Sequence, residues 1–207
     1  MDNIKHGVPQ GSILGPLLFL VYINDLPFTI RNLSQSVLFA DDTSVIVKSK
    51  DFEGLESRLN TVLNCMCEWF EANKLSLNLE KSNVIKFQSY KSADNKLCIS
   101  NNGRFLEQTV NTKFLDLQID KYLNWKEHIE YITPKLASAL YAIRSMSTYV
   151  CTGTLKLIYH AYFHSLMKYG IIFWGNSINS KHIFILQKKG IRIMARAGKR
   201  DSCRNLF

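Results

Sequence analysis

The sequence predicts an α+β protein, mixed over residues 1–120 and all-helical over residues 121–207. Three observations carry this. Short β-prone runs alternate with helical apolar periods up to residue 120, and only the helical period continues beyond it. Charge steps at the same boundary. Residues 1–120 hold 12 Lys+Arg against 14 Asp+Glu, a net of −2; residues 121–207 hold 14 against 3, a net of +11. The composition, 46% apolar and 21% charged, is that of a chain able to bury a core.

The chain enters early on a Gly- and Pro-rich segment, Gly7-Val8-Pro9-Gln10-Gly11-Ser12. Helical spacing of Leu14, Leu17, Leu18, Val21 and Tyr22 then predicts a helix from Ile13 to Leu26, closed by Pro27. Val37–Ala40 and Thr43–Val47 are β-prone runs flanking Asp41-Asp42, so a hairpin with the acids at its turn is expected. From Phe52 to Phe70 apolar residues recur every three or four positions, giving a long helix with Asp51 as N-cap. Leu75–Leu79 alternates and is expected as a strand, as are Val84–Phe87, the surroundings of Cys98-Ile99, and Phe114–Ile119. Ser100-Asn101-Asn102-Gly103 marks a turn between strands. Beyond it come helices over 125–144, with a break or bend at Thr133-Pro134, then 154–170 and 181–197.

Several function classes drop out. The five cysteines, Cys65, Cys67, Cys98, Cys151 and Cys203, fit neither a disulfide framework nor a zinc spacing, and are expected as free thiols. The longest apolar run, Leu17–Ile23, is far short of a membrane span. Met1–His6 has the character of neither a signal nor a transit peptide, so an intracellular chain, cytoplasmic or nuclear, with no membrane partner is expected.

Two features carry chemistry. Adjacent acids between apolar runs either bind a cation or stand solvated at a turn. As hard oxygen donors, Asp41 and Asp42 suit Mg²⁺ held jointly with substrate phosphates, with Mn²⁺ a possible substitute. The second feature is the C-terminal stretch. Lys181, Lys188, Lys189, Arg192, Arg196, Lys199, Arg200 and Arg204 crowd the last 27 residues, interleaved with Ile183, Phe184, Leu186, Ile191 and Met194. Such a helix can grip phosphates without reading bases, or can be a merely solvated surface.

The Gly7–Ser12 segment and the Asp41-Asp42 pair, in this order, resemble the reverse transcriptases of non-LTR, LINE-like retrotransposons. Gly7 to Phe19 looks like that family's nucleotide-pocket motif, and Tyr22-Ile23-Asn24-Asp25-Leu26-Pro27 matches its continuation. Phe39-Ala40-Asp41-Asp42-Thr43 resembles the catalytic acid pair, and Leu75–Ser82 the next motif, with its lysine at Lys81. Phe114-Leu115-Asp116 falls in the primer-grip region, where the family has glycine at position 116. Leu123–Ile129 and Tyr169–Gly175 have counterparts too.

The resemblance implies a partial polymerase palm over 1–120, an antiparallel sheet with packed helices, followed by a thumb-like helical region over 121–207. It implies an RNA template, a DNA primer and deoxynucleoside triphosphates as partners, and two-metal nucleotidyl transfer. Asp41 would hold metal, Asp42 would support it, and Lys81 would sit near the triphosphate. Gly7, Pro9, Gln10 and Gly11 would pack on the incoming nucleotide. Lys188, Lys189, Arg192 and Arg196 are the expected phosphate contacts. The family's first catalytic aspartate lies upstream of the Gly7 motif, before which this chain has six residues. The isolated chain is therefore expected not to polymerise, leaving a non-catalytic nucleic-acid-binding remnant as the alternative.

Overall fold

The computed structural model describes residues 11–92, 95–198, 200–204 and 206; Gly7, Pro9 and Gln10 lie outside these. The chain divides into two compact units, one of residues 1–84 and 94–108, the other of residues 85–93 and 109–207. As expected, helices mix with small sheets. The described strands form four separate two-stranded ladders rather than one continuous sheet.

In the first unit the expected helix over 13–26 is two helices, α1 Leu14–Ile23 and α2 Leu26–Ile30, parted at Asn24-Asp25. Pro27 does not close the first helix. It sits in the first turn of α2, where its missing N–H has no intrahelical partner to lose. The hairpin follows as β1 Gln35–Phe39 and β2 Asp42–Ile46, antiparallel, with Phe39 opposite Asp42. α3 Phe52–Ala72 starts as predicted, the Asp51 carboxylate accepting the Gly54 N–H at 2.6 Å.

One face of α3 supplies Val62, Met66, Trp69 and Phe70 to a core shared with Ile23, Leu26 and Ile30. α1 itself is apolar on every side and buries only Ile23; Leu14, Leu17, Leu18 and Val21 are each more than half exposed. Leu75–Leu79 forms no strand. It keeps the alternation, with Leu75, Leu77 and Leu79 half-buried against two clusters, so the period records packing on a core rather than a ladder.

Further along, β3 Asn83–Ile85 pairs with β6 Glu107–Thr109, and β4 Ser100–Asn101 pairs with β5 Arg104–Phe105. The expected turn is the connection within the latter pair, with Asn102 at φ +49 and Gly103 at φ +76. Little of the strand expected at Cys98-Ile99 forms, because α3 side chains take its hydrogen bonds. Glu56 accepts from the Cys98 N–H at 3.1 Å, and the Asn60 amide donates to the Cys98 carbonyl at 3.1 Å while accepting from the Ser100 N–H at 3.0 Å.

The second unit holds β7 Asn111–Phe114 and β8 Leu117–Asp120, an antiparallel hairpin, and then helices. α4 Lys126–Met146 runs on through Pro134, where a break or bend was expected. Beside the missing proline donor, the Thr133 hydroxyl donates to the Ile129 carbonyl at 2.6 Å. The helix expected over 154–170 is α5 Thr152–Ile158, a π-helical stretch Tyr159–His164, and α6 Ser165–Lys168. α7 Ile171–Trp174 and a 3₁₀ turn Ile178–Ser180 lead to α8 Lys181–Met194. The buried face of α4 (Ile129, Ile132, Leu136, Ala139, Leu140, Ile143) forms the core with Leu155, Phe163, Trp174 and Ile183.

A carboxylate organises the entry to α4. Asp120, 6% exposed, accepts three backbone N–H groups: Tyr122 at 2.9 Å and Asn124 at 3.2 Å on Oδ1, and Trp125 at 2.9 Å on Oδ2. These bonds hold Leu123 at φ +53 and Trp125 at φ +63, conformations that non-glycine residues seldom adopt.

All five cysteines are free thiols. Among the described residues no helix is long and apolar enough to cross a membrane.

Candidate functional site

Asp41 and Asp42 sit where the β1–β2 hairpin reverses. The reversal takes two residues, Ala40 and Asp41, with Ala40 at φ +52; a positive φ at the first loop position suits the twist of a tight hairpin. Asp42 is the first residue of β2. Both acids are exposed, and neither carboxylate has a hydrogen bond or ion pair among the described residues. No group of three or more His, Cys, Asp and Glu side chains is placed to hold one ion among the described residues. Among the described residues the tip thus offers two carboxylates, with no third His, Cys, Asp or Glu side chain grouped with them.

Lys81 is exposed at the end of a turn fixed by Asn78, whose side-chain oxygen accepts the Lys81 N–H at 3.2 Å and whose carbonyl accepts the Ser82 hydroxyl at 2.8 Å. Neither Asp41 nor Asp42 is bonded to it. Of the expected nucleotide-pocket residues, Gly11 alone is described, exposed and at φ +84 with open space where a Cβ would stand. That conformation favours glycine.

Leu115 and Asp116 are the two loop residues of the β7–β8 hairpin, at φ +45 and +65. A turn with both central residues left-handed is why glycine suits position 116, and aspartate is among the residues that tolerate it. Asp116 is braced by Lys113 at 2.7 Å and by the Tyr131 hydroxyl, which donates to it at 3.3 Å. Its hydrogen bond with Lys113 pulls its carboxyl below the ordinary range and raises the lysine in return. Phe114 is half-buried. Tyr169 and Gly170, read in the sequence only as part of a familiar string, support this hairpin. The Tyr169 hydroxyl donates to the Leu115 carbonyl, and Gly170, at φ +62, lies where a Cβ would be 2.7 Å from the Leu117 side chain.

The cations of the C-terminal helix are partly committed. Lys188 lies 4.3 Å from the centre of the Phe184 ring. The Arg192 guanidinium donates to the Asp201 carbonyl at 2.8 Å, and Arg196 donates to the Val150 carbonyl at 3.2 Å. Lys189 is exposed. Bonds to neutral carbonyls leave the arginine charge in place, so the face remains positive.

Residues 2–133 match the reverse transcriptase (RNA-dependent DNA polymerase) family, and the chain belongs to it. It is 30% identical over 203 residues to the RNA-directed DNA polymerase from mobile element jockey of Drosophila melanogaster, covering 91% of this chain and 22% of that protein. It is 26% identical over 200 residues to the probable RNA-directed DNA polymerase from transposon X-element of the same species, covering 93% and 22%. It is 22% identical over 196 residues to the Pol polyprotein from type-1 retrotransposable element R1 of Bradysia coprophila, covering 93% and 20%. The chain thus spans about a fifth of the length of these curated relatives. No solved structure matches it. The relatives are the non-LTR retrotransposon polymerases that the motifs pointed to.

Proposed function

We propose that the chain supplies part of the active site of an RNA-directed DNA polymerase that extends a DNA primer on an RNA template. The observation that carries this is the exposed Asp41-Asp42 tip, within the stretch that matches the family. In this reading residues 1–120 are the palm-like part and 121–207 the thumb-like part. The carboxylates fit Mg²⁺ as part of its donor set, since that ion takes one or two carboxylates and completes its shell with substrate phosphates and water; Mn²⁺ suits the same oxygens. When bound, such an ion polarises phosphoryl oxygens.

Asp41 holds the larger share and Asp42 orients it. Lys81, a compact charge on a turn fixed by Asn78, offsets negative charge on the triphosphate. Gly7, Pro9, Gln10 and Gly11 pack against the incoming nucleotide. Phe114, Leu115 and Asp116 hold the primer end, and Lys188, Lys189, Arg192 and Arg196 hold nucleic-acid phosphates.

Two carboxylates are too few to hold the ions of a two-metal reaction, so the remaining donor comes from outside the described residues. Two measurements test this. Mn²⁺ titration followed by electron paramagnetic resonance should show weak binding that the Asp41→Asn/Asp42→Asn variant loses; unchanged binding removes the pair from the site. Primer extension on an RNA template with Mg²⁺ or Mn²⁺ should give no product from the folded chain alone. Product lost on Asp41→Asn would refute the incomplete donor set while keeping the enzymatic reading.

A further inference from the structure

Two tyrosines without a role so far form a shelf in the second unit. Tyr90, in the segment 85–93, stacks on Tyr122, which follows β8; the ring centres are 4.0 Å apart and the planes 15° from parallel. Lys121 places its ammonium 5.0 Å from the centre of the Tyr122 ring. The Asn124 side chain donates to the Tyr90 hydroxyl at 2.9 Å. Yet Tyr90 remains 69% exposed, so a large ring is held in a fixed orientation with most of its surface in water.

The fixing is thorough. The Asp120 carboxylate ties down the Tyr122, Asn124 and Trp125 N–H groups. The Gln88 N–H donates to the Lys121 carbonyl at 3.1 Å, bringing the Tyr90 segment alongside, and the Lys121 N–H donates to the Val110 carbonyl at 2.9 Å. A ring set in this way loses little freedom when a second flat group stacks on it. The surroundings select the partner by charge: the residues of this unit carry 17 Lys+Arg against 5 Asp+Glu.

We propose that the Tyr90–Tyr122 pair is a base-stacking platform for single-stranded nucleic acid, with Lys121 adding charge beside it. The proposal rests on the polymerase reading for its ligand class only; the site and its residues come from the stacking geometry. Every base presents a π-face, so the platform is tolerant of sequence and intolerant of a missing base. Adjacent phosphates meet the unit's positive field.

The test is fluorescence anisotropy of the full chain at low salt with two labelled strands of equal length, oligothymidine and its abasic counterpart. The wild type should prefer oligothymidine. Tyr90→Ala should lose that preference, weakening oligothymidine binding roughly 5- to 100-fold and leaving abasic binding unchanged. Tyr90→Phe, which keeps the ring and loses the Asn124 bond, should retain most of it. Lys189→Ala/Arg192→Ala should weaken both strands alike. Equal oligothymidine affinity for wild type and Tyr90→Ala overturns the proposal; so does a wild type that binds both strands equally, which still leaves phosphate binding intact. No binding of either strand by the wild type overturns the platform together with the nucleic-acid part of the proposed function. A proline-rich peptide whose binding depends on Tyr90, with oligothymidine binding unaffected, assigns the shelf to a protein partner and overturns the proposal too.

Discussion

Replacing Asp120 tests how the second unit is held together. Its carboxylate is buried and accepts three backbone N–H groups through both oxygens. A hydrogen bond to a charged group contributes about 1.5–3 kcal/mol, and a buried donor left alone costs about 1–3 kcal/mol. Simple addition overshoots, because a loop opened by the substitution lets water reach the freed donors. Counting each bond between the two lower limits, about 1 and about 1.5 kcal/mol, Asp120→Ala should cost about 3–4.5 kcal/mol. Asp120→Asn is the sharper variant. Its amide oxygen can keep the two bonds of Oδ1, but its NH₂ then faces the Trp125 N–H, so one bond is lost and two donors oppose each other. A loss of about 1.5–2 kcal/mol is expected.

Against a total of about 5–15 kcal/mol, both losses are visible in urea unfolding followed by tryptophan fluorescence. Trp125 and Trp174 both belong to this unit and report on it. An alanine variant within about 0.5 kcal/mol of wild type, the scatter of ordinary surface substitutions, would refute the idea that Asp120 organises the loop. So would an asparagine variant as costly as alanine.

Two further predictions concern the same unit. His128, 2% exposed, accepts the Gln118 N–H on Nδ1 at 3.3 Å, so Nε2 carries the proton and has no hydrogen-bond partner among the described residues. Burial depresses its pKa, Lys135 pushes the same way and Asp116 opposes; His164 is depressed too, by burial, His160 and Lys168. The unfolded chain therefore takes up these protons first. The contribution is complete above about pH 6.5 and is lost as pH falls through the lower folded values, so unfolding free energy should drop on acidification. His128→Gln and His164→Gln should each flatten part of that slope in urea titrations between about pH 7 and 5, and an unchanged slope in both would contradict the assignment. Gly190→Ala would place a Cβ 3.0 Å from both the Leu140 and Tyr159 side chains, where α8 meets the core. A loss of about 1–3 kcal/mol, less any gain in helix propensity, should appear as a lower Tm; an unchanged Tm would show that the two side chains yield freely.

Periodicity was legible wherever one element answered to one core. The α3 stretch and the β1–β2 hairpin follow their apolar spacing, and Asp51 caps as its type predicts. What failed was long-range choice. Leu75–Leu79 alternates like a strand yet packs without a ladder, because alternation records which side is covered and not what covers it. The apolar run after Ser12 hides its break, since Asn24-Asp25 and Pro27 permit either one helix ending or a second beginning. The acid pair was readable as a local string. The Tyr90–Tyr122 stack joins residues 32 apart through backbone bonds that no local pattern encodes. The left-handed turn at Leu115-Asp116 likewise became visible only through its φ angles.

The two units are not consecutive stretches, and this bears on how the chain is made. During synthesis residues 1–84 emerge ahead of the rest of this stretch, but Leu97, Ile99 and Leu106, which cover Leu63 on α3, follow only after residues 85–93 have passed. That short passage belongs with partners from residue 109 onward, so it waits in turn. A nascent chain paused near residue 93 holds one unit without its last cover and the opening piece of the next. For the same reason a single cut cannot separate the units: truncation at 108 takes the first unit whole only by carrying nine residues of the second, Tyr90 among them.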